Sequence, residues 1–239
     1  MFLVLNYFQM YLGKVLIKQK FLYLIISLLL SVSLFGQTPQ RHNLKNEVKE
    51  LMYSNPNQAV KIAEHLLSIP SITVEEKAKV NLLIAKTYYA KGDFSAALKS
   101  LFEEKKYSNY LSVNEKVEVD VLKAAIFRKL SLYNESEAEI NNCELLIKDI
   151  LDENLSAEAS SYVLIEKSKY YLLFDKVDEA IQLLEKTETK EKRKTSLEIS
   201  IWQNITLAKL YLEKKDLQLA KKFKVITAFR TINSNKFIC

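Results

Sequence analysis

The stretch Leu82–Leu101, LLIAKTYYAKGDFSAALKSL, carries the pattern on which the fold turns. A small residue, Ala85, is followed three positions later by Tyr88, four later again by Gly92, and then by Phe94 and Ala97. The same order returns as Ala124, Phe127, Ser131, Tyr133, Ser136, as Ser168, Tyr171, Asp175, Val177, Ala180, and as Ala208, Tyr211, Lys215, Leu217, Ala220. Each copy is offset by 39 to 44 residues from the last. A period of this size marks stacked helix pairs, each burying its apolar face only against its neighbours.

Composition supports an all-α chain. Only three glycines and three prolines occur in 239 residues, Gly92 and Pro70 being the last of each. Leu, Lys, Glu, Ala and Ile dominate, and no alternation of period two is sustained. The expected architecture is a right-handed solenoid of antiparallel helix pairs, about four to five repeats, over residues 40–222.

Local signals place the helices. The first is expected from about His42 to Tyr53, and Asn55 with Pro56 opens a second that ends near Ile69, before Pro70. Thr73 with Glu76 and Ser112 with Glu115 are capping-box pairs, and Asp93 caps the helix after Gly92. Further turns are expected at Ser131, Asn154, Asp175 and Lys215. Glu185–Lys194, with eight charged residues in ten, reads as a solvated helix end and the loop after it.

These offsets resemble the tetratricopeptide repeat (TPR), a family of helix pairs. The resemblance implies that Ala85, Ala124, Ser168 and Ala208 admit a partner helix closely. Tyr88, Phe127, Tyr171 and Tyr211 would fill the space between pairs, and Phe94, Tyr133, Val177 and Leu217 would anchor each second helix against Ala97, Ser136, Ala180 and Ala220. The chain departs from the family in its longer period. It also has Asn81, Asp120, Leu164 and Asn204 where the family has tryptophan, and a turn glycine only at Gly92. The first unit, with Glu47 at the small position, reads as a cap. Residues 223–239 read as a non-repeat tail, because Lys221 and Lys224 stand where the best repeat has Leu98 and Leu101.

Lys14, Lys18 and Lys20 precede the apolar run Phe21–Phe35, and Gly36 and Gln37 follow it. Residues 1–36 therefore read as a signal peptide cleaved near Gly36, or as an N-terminal membrane anchor formed by residues 21–35. Met10 is an alternative start, and a cytoplasmic protein with a mis-assigned start is the competing reading. Three of the six net positive charges belong to this leader. The remainder is mildly basic and lacks a concentrated Arg or Lys stripe, so no nucleic-acid partner is expected.

No catalytic, cofactor or metal constellation is present in the sequence: His42 and His65 lack metal spacing, Cys143 and Cys239 lack redox or zinc spacing, and there is no phosphate loop. Cys143 reads as a core thiol. The resemblance implies a groove lined by the first helix of each pair, with Lys79, Lys86, Tyr89, Arg128, Tyr162, Lys169, Trp202 and Lys209 at groove-lining offsets. A basic groove with aromatic flanks suits an acidic protein or peptide. The expected function is a non-enzymatic interaction scaffold outside the cytoplasm, periplasmic or anchored in the inner membrane, with membrane contact only through its N-terminal segment. Exported arrays of this kind resemble the sensory part of bacterial helix-turn-helix or kinase regulators. The chain reads either as a free binder or as the front of such a regulator.

Overall fold

The computed structural model describes residues 37–191 and 196–235. The leader assigned to residues 1–36, and Cys239, lie outside the described residues. Among the described residues, ten α-helices form five antiparallel pairs: α1 (Gln37–Ser54) with α2 (Pro56–Ser68), α3 (Val74–Lys91) with α4 (Phe94–Lys105), α5 (Val113–Lys129) with α6 (Tyr133–Ile147), α7 (Glu153–Leu172) with α8 (Val177–Glu191), and α9 (Leu197–Glu213) with α10 (Leu217–Asn235). A short 3₁₀ turn, Ser108–Tyr110, lies between α4 and α5. No strand occurs among the described residues.

The first helices of the pairs pack on one another in a row, α1 on α3, α3 on α5, α5 on α7 and α7 on α9. The second helices pack chiefly on first helices, their own and the next. The first helices therefore form an inner row and the second helices an outer one. Neighbours on several sides explain why α3 buries residues nearly all round, with Ala78, Val80, Leu82, Leu83, Ile84, Ala85 and Thr87 all inside. In α2 the buried residues form one stripe, Ala59, Val60, Ala63 and Leu66.

The core is a strip rather than a ball. Four clusters follow one another along it, each between consecutive pairs, around Leu66 and Val80, Leu101 and Ile126, Val117 and Val163, and Leu184 and Leu207. Each fully buried Leu or Ile contributes about 1.5–3 kcal/mol of transfer free energy. Tyr88 packs against the first two clusters and Tyr171 against the last two, so these rings link successive units.

All the small positions but Ala208, which is half-buried, lie inside. Ala85, Ala97, Ala124, Ser136, Ser168 and Ala180 are fully buried. Where one member of a pair is serine, its hydroxyl reports the contact: Ser136 Oγ donates to the Ala124 carbonyl at 2.9 Å, and Ser168 Oγ to the Ala180 carbonyl at 3.2 Å. Ser136 thus satisfies its polar atom on the backbone of the partner helix without adding bulk, whereas Ser168 shares its proton between Ala180 and the nearer Leu164 carbonyl of its own helix, at 2.8 Å.

All four repeat turns take the left-handed conformation, Gly92 at φ 84°, Ser131 at 61°, Asp175 at 59° and Lys215 at 63°. Three of them do so without glycine, at a backbone cost that the flanking helices offset. After each turn the next helix is fastened to the last turn of the one before, as when the Asp93, Leu132, Lys176 and Asp216 amides donate to the Tyr88, Phe127, Tyr171 and Tyr211 carbonyls. Asn55 accepts from the Gln58 amide, Asp93 from Ala96, and both capping boxes are formed.

The residues at the family's tryptophan place are polar and inside in three repeats: Asn81, Asp120 and Asn204 are buried. Asp120 is held by Lys123 Nζ at 2.7 Å and by Asn142 Nδ2 at 2.6 Å. Cys143 is a buried free thiol whose Sγ lies 3.8 Å from the Val117 carbonyl, and burial pushes its pKa up.

Four expectations change. Helix α1 begins at Gln37 rather than His42. Asn154 lies within the first turn of α7, and Asp152 is the cap, its Oδ1 accepting from the Asn154 and Leu155 amides. Leu217, expected to anchor α10, is 68 % exposed instead. The boundary at residue 223 falls inside a continuous helix: α10 runs to Asn235, and Phe223 is buried, stacked on Tyr211 with ring centroids 5.7 Å apart. Phe223 takes over the buried role that Leu101 has in the second pair, one position away from the exposed Lys224.

Candidate interaction surface

The inner row presents the same offsets from every first helix, so its character can be followed along the array. Six residues before the small position stand Lys79, Glu118, Tyr162 and Trp202; ten before it stand Glu75, Asn114, Glu158 and Glu198. The N-terminal half is charged and the C-terminal half aromatic.

In the charged half, cations of one first helix meet carboxylates of the next. Arg41 and Lys45 of α1 contact Glu76 of α3 at 3.0 and 3.2 Å. Lys79 of α3 contacts Glu115 of α5 at 3.1 Å and Glu75 on its own helix at 2.7 Å, and Lys86 contacts Glu118 at 2.5 Å. Arg128 of α5 grips Glu166 of α7 with two nitrogens, Nε at 2.5 Å and Nη2 at 3.3 Å, and both side chains are buried. Glu76 and Glu115 are held below the ordinary glutamate pKa: burial opposes this, but the capping amides and the lysines outweigh it.

The centre of the inner face gathers Tyr89, Arg128, Glu166, Lys169 and Trp202. Burial raises the Tyr89 pKa, Glu166 adds to the effect, and the nearby Arg128 opposes it. Lys169 Nζ lies 3.5 Å from Glu166 Oε2 and 5.9 Å from the centre of the Trp202 ring. Burial lowers the Lys169 pKa against the pull of Glu166, with Arg128 and Lys209 adding like-charge repulsion.

The array curls until its ends meet. Tyr53, near the end of α1, lies 6.0 Å from Trp202 of α9, ring centre to ring centre. Tyr53 still opens onto the inner space, at 61 % exposure, yet the surrounding protein, Glu198 and Tyr89 together raise its pKa to about 12. The Tyr162 pKa is also raised, first by burial and then by Glu198, Glu118, Glu158 and Tyr53.

Solved structures share the helical-repeat fold. A single-residue variant of a kinesin light chain-like protein of nearly identical TPR-like repeats from Podosopora anserina superposes with a TM-score of 0.51 at 15% identity, over 82% of this chain and 97% of that one. The same repeats without that substitution give 0.50 at 16% identity, over 82% and 96%. The chain has a TPR-like fold. BtubC (BKLC) from P. vanneervenii aligns at 15% identity over 84% of this chain and 92% of its own, with a TM-score of 0.49. No protein-family model and no curated relative matches the chain. At these identities the likeness concerns the TPR-like fold alone.

The structure brings Tyr89, Arg128, Lys169 and Trp202 together, sets Tyr162 beside them through Glu198 and Tyr53, and leaves Lys209 exposed near Lys169. Lys79 and Lys86 stand apart in the charged half. The freely basic groove expected from the sequence is corrected on one point: Lys79, Lys86, Arg128 and Lys169 already have carboxylate partners within the chain. An acidic ligand would have to displace them. Glu118, Glu158, Glu198, Glu166 and Tyr53 were missed. The first three stand at the offsets of Lys79 and Glu75, so extending the register by two columns finds them; Tyr53 has no such signal. Among the described residues no His, Cys, Asp and Glu group could hold a metal, and no helix is long and apolar enough to cross a membrane.

Proposed function

We propose that this chain is a protein-interaction scaffold that takes an extended segment of a partner protein on the inner face of α5, α7 and α9. One observation carries this: Tyr53, 61 % exposed, meets the half-buried Trp202 on the inner face, where Tyr162 is half-buried as well, so first helices from both ends of the array supply rings to one surface. Large rings fixed on rigid helices are efficient anchors, since little side-chain freedom is lost when they are covered. The leader and the resemblance to exported regulators support membership of a signalling assembly outside the cytoplasm.

Selection of a random-sequence peptide library on the full chain tests the binding face. Selected peptides should lose affinity with Tyr162→Ala/Trp202→Ala and keep it with Lys99→Ala/Asn141→Ala on the outer row. The reverse pattern overturns the reading. For location, N-terminal sequencing of the protein from its native cell envelope should begin near Gln37; a cytosolic protein with residues 1–36 intact overturns export.

A further inference from the structure

In a stacked array each first helix turns one stripe toward the pair that follows it. In α3 that stripe is Ala78, Leu82 and Ala85, which lie in the core cluster shared with α5. In α5 it is Val117, Val121 and Ala124, in or against the cluster shared with α7. In α7 it is Ser161, Ile165 and Ser168, all buried. The same offsets in α9 give Ile201, Ile205 and Ala208, which are only half-buried, and Leu212 one turn on, which is 54 % exposed. The second helices repeat the contrast. Phe94, Tyr133 and Val177, three before the small position, pack against those clusters, whereas their counterpart Leu217 lies 68 % exposed. The last pair thus presents the apolar face by which the second, third and fourth pairs each receive a successor.

The two ends differ in kind. At the first, the residues that α1 exposes include His42, Asn43, Lys49 and Glu50, the polar finish that a terminal unit needs in water. At the last, Ile201, Ile205, Ala208 and Leu212 recur at spacings of four, three and four, which is one stripe of a helix and accepts another helix laid along it. Charge decides which helix. Four residues after the small position α4, α6 and α8 have Leu101, Ile140 and Leu184, all buried, but α10 has Lys224 there and Lys221 one after it, both exposed. A cover for this face therefore meets apolar side chains on α9 and ammonium groups on α10. A basic helix is repelled there, and a second copy using the same face would bring Lys221 and Lys224 against a surface itself apolar and basic. We infer that the end face of α9 and α10 receives an amphipathic helix of a partner protein whose apolar stripe is flanked by acidic residues. This surface is separate from the inner face and stands whether or not that face binds.

A library of helical peptides about three heptads long, with Leu fixed along one stripe and Glu, Lys, Gln or Ala varied elsewhere, is selected on the full chain. Binders should carry more Glu than Lys beside the stripe. Leu212→Gln/Leu217→Gln, at exposed positions, should weaken a selected Glu-rich peptide about ten-fold without moving the thermal melt. Lys221→Glu/Lys224→Glu should reverse the order of affinity of that peptide and its counterpart with Lys in place of Glu. Tyr162→Ala/Trp202→Ala should leave its affinity unchanged, which separates this surface from the inner face. Failure to enrich any helix, equal enrichment of Lys-rich ones, or a peptide lost with the inner-face variant and indifferent to both end-face variants overturns the inference. Concentration-dependent dimers of the parent chain, abolished by Leu212→Gln/Leu217→Gln, would make the occupant a second copy and overturn it as well.

Discussion

The Tyr53 ring stands 6.0 Å from the Trp202 ring, at an interplanar angle of 53°, although one belongs to the first helix pair and the other to the last. This contact closes the curl of five pairs and encloses the inner face. Removing it opens the array at its ends without touching the strip of core between neighbouring pairs. Tyr53→Ala should shift the emission of Trp202 to the red and raise its acrylamide quenching constant, with a melting temperature near that of the parent chain. An unchanged quenching constant would show that the ends do not meet in solution.

The buried pair of Arg128 and Glu166 ties α5 to α7. Deleting one member leaves the other charge inside without compensation, which costs about 3–5 kcal/mol. Arg128→Met and Glu166→Leu should each destabilise by that order in urea unfolding, and the double variant should recover much of the loss. A double variant as unstable as the sum of the two would show that the pair is not coupled.

Turn chemistry offers substitutions of opposite sign. Ser131 and Lys215 hold φ near 60° with a Cβ, so Ser131→Gly and Lys215→Gly should each stabilise by up to about 1 kcal/mol. Gly92→Ala should cost about 1 kcal/mol although a Cβ there would meet nothing within 4 Å, because the penalty lies in the backbone. Thermal melts of the three variants check both signs.

Glu76 and Glu115 make part of the stability dependent on pH. Their folded pKa values lie below the ordinary 4.5, so folding favours the ionised form. That contribution is complete above the unfolded value and is lost as pH falls through the lowered folded value. The melting-temperature gap between the parent chain and Glu76→Gln/Glu115→Gln should therefore be widest near neutrality and close below about pH 4. A gap that widens on acidification contradicts the assignment. Thr73→Ala, which removes one cap oxygen, should cost about 1 kcal/mol at neutral pH.

Much of the local architecture is legible in the chain. Thr73, Ser112, Asp93 and Asn55 announce helix starts because a capping oxygen acts within three residues. Ala85 and Ala97, or Ser168 and Ala180, announce a close crossing because only small side chains fit there. Asn154 misled because it resembles a cap, whereas the neighbouring Asp152 carries the acceptor. The end of the array misled as well: Lys224 broke the expected register, and the stack of Phe223 on Tyr211 became visible only with both helices in place.

The candidate site was legible in part. Arg128, Lys169 and Trp202 follow from the repeat offset, but that Arg128 is neutralised by Glu166 depends on how far α5 and α7 are rotated against each other. Periodicity states which faces meet, not which side chains touch across them.

The sequence by itself determined the helix pairs, their turns and the small residues at each crossing, since these depend on short-range sterics repeated every 39 to 44 residues. The tertiary structure alone decided that Tyr53 reaches Trp202 and that the inner face divides into an ion-paired half and an aromatic half. In a stacked array the offset between neighbouring pairs accumulates along the row, so a contact between the first pair and the last depends on the packing at every step and is encoded in no local pattern.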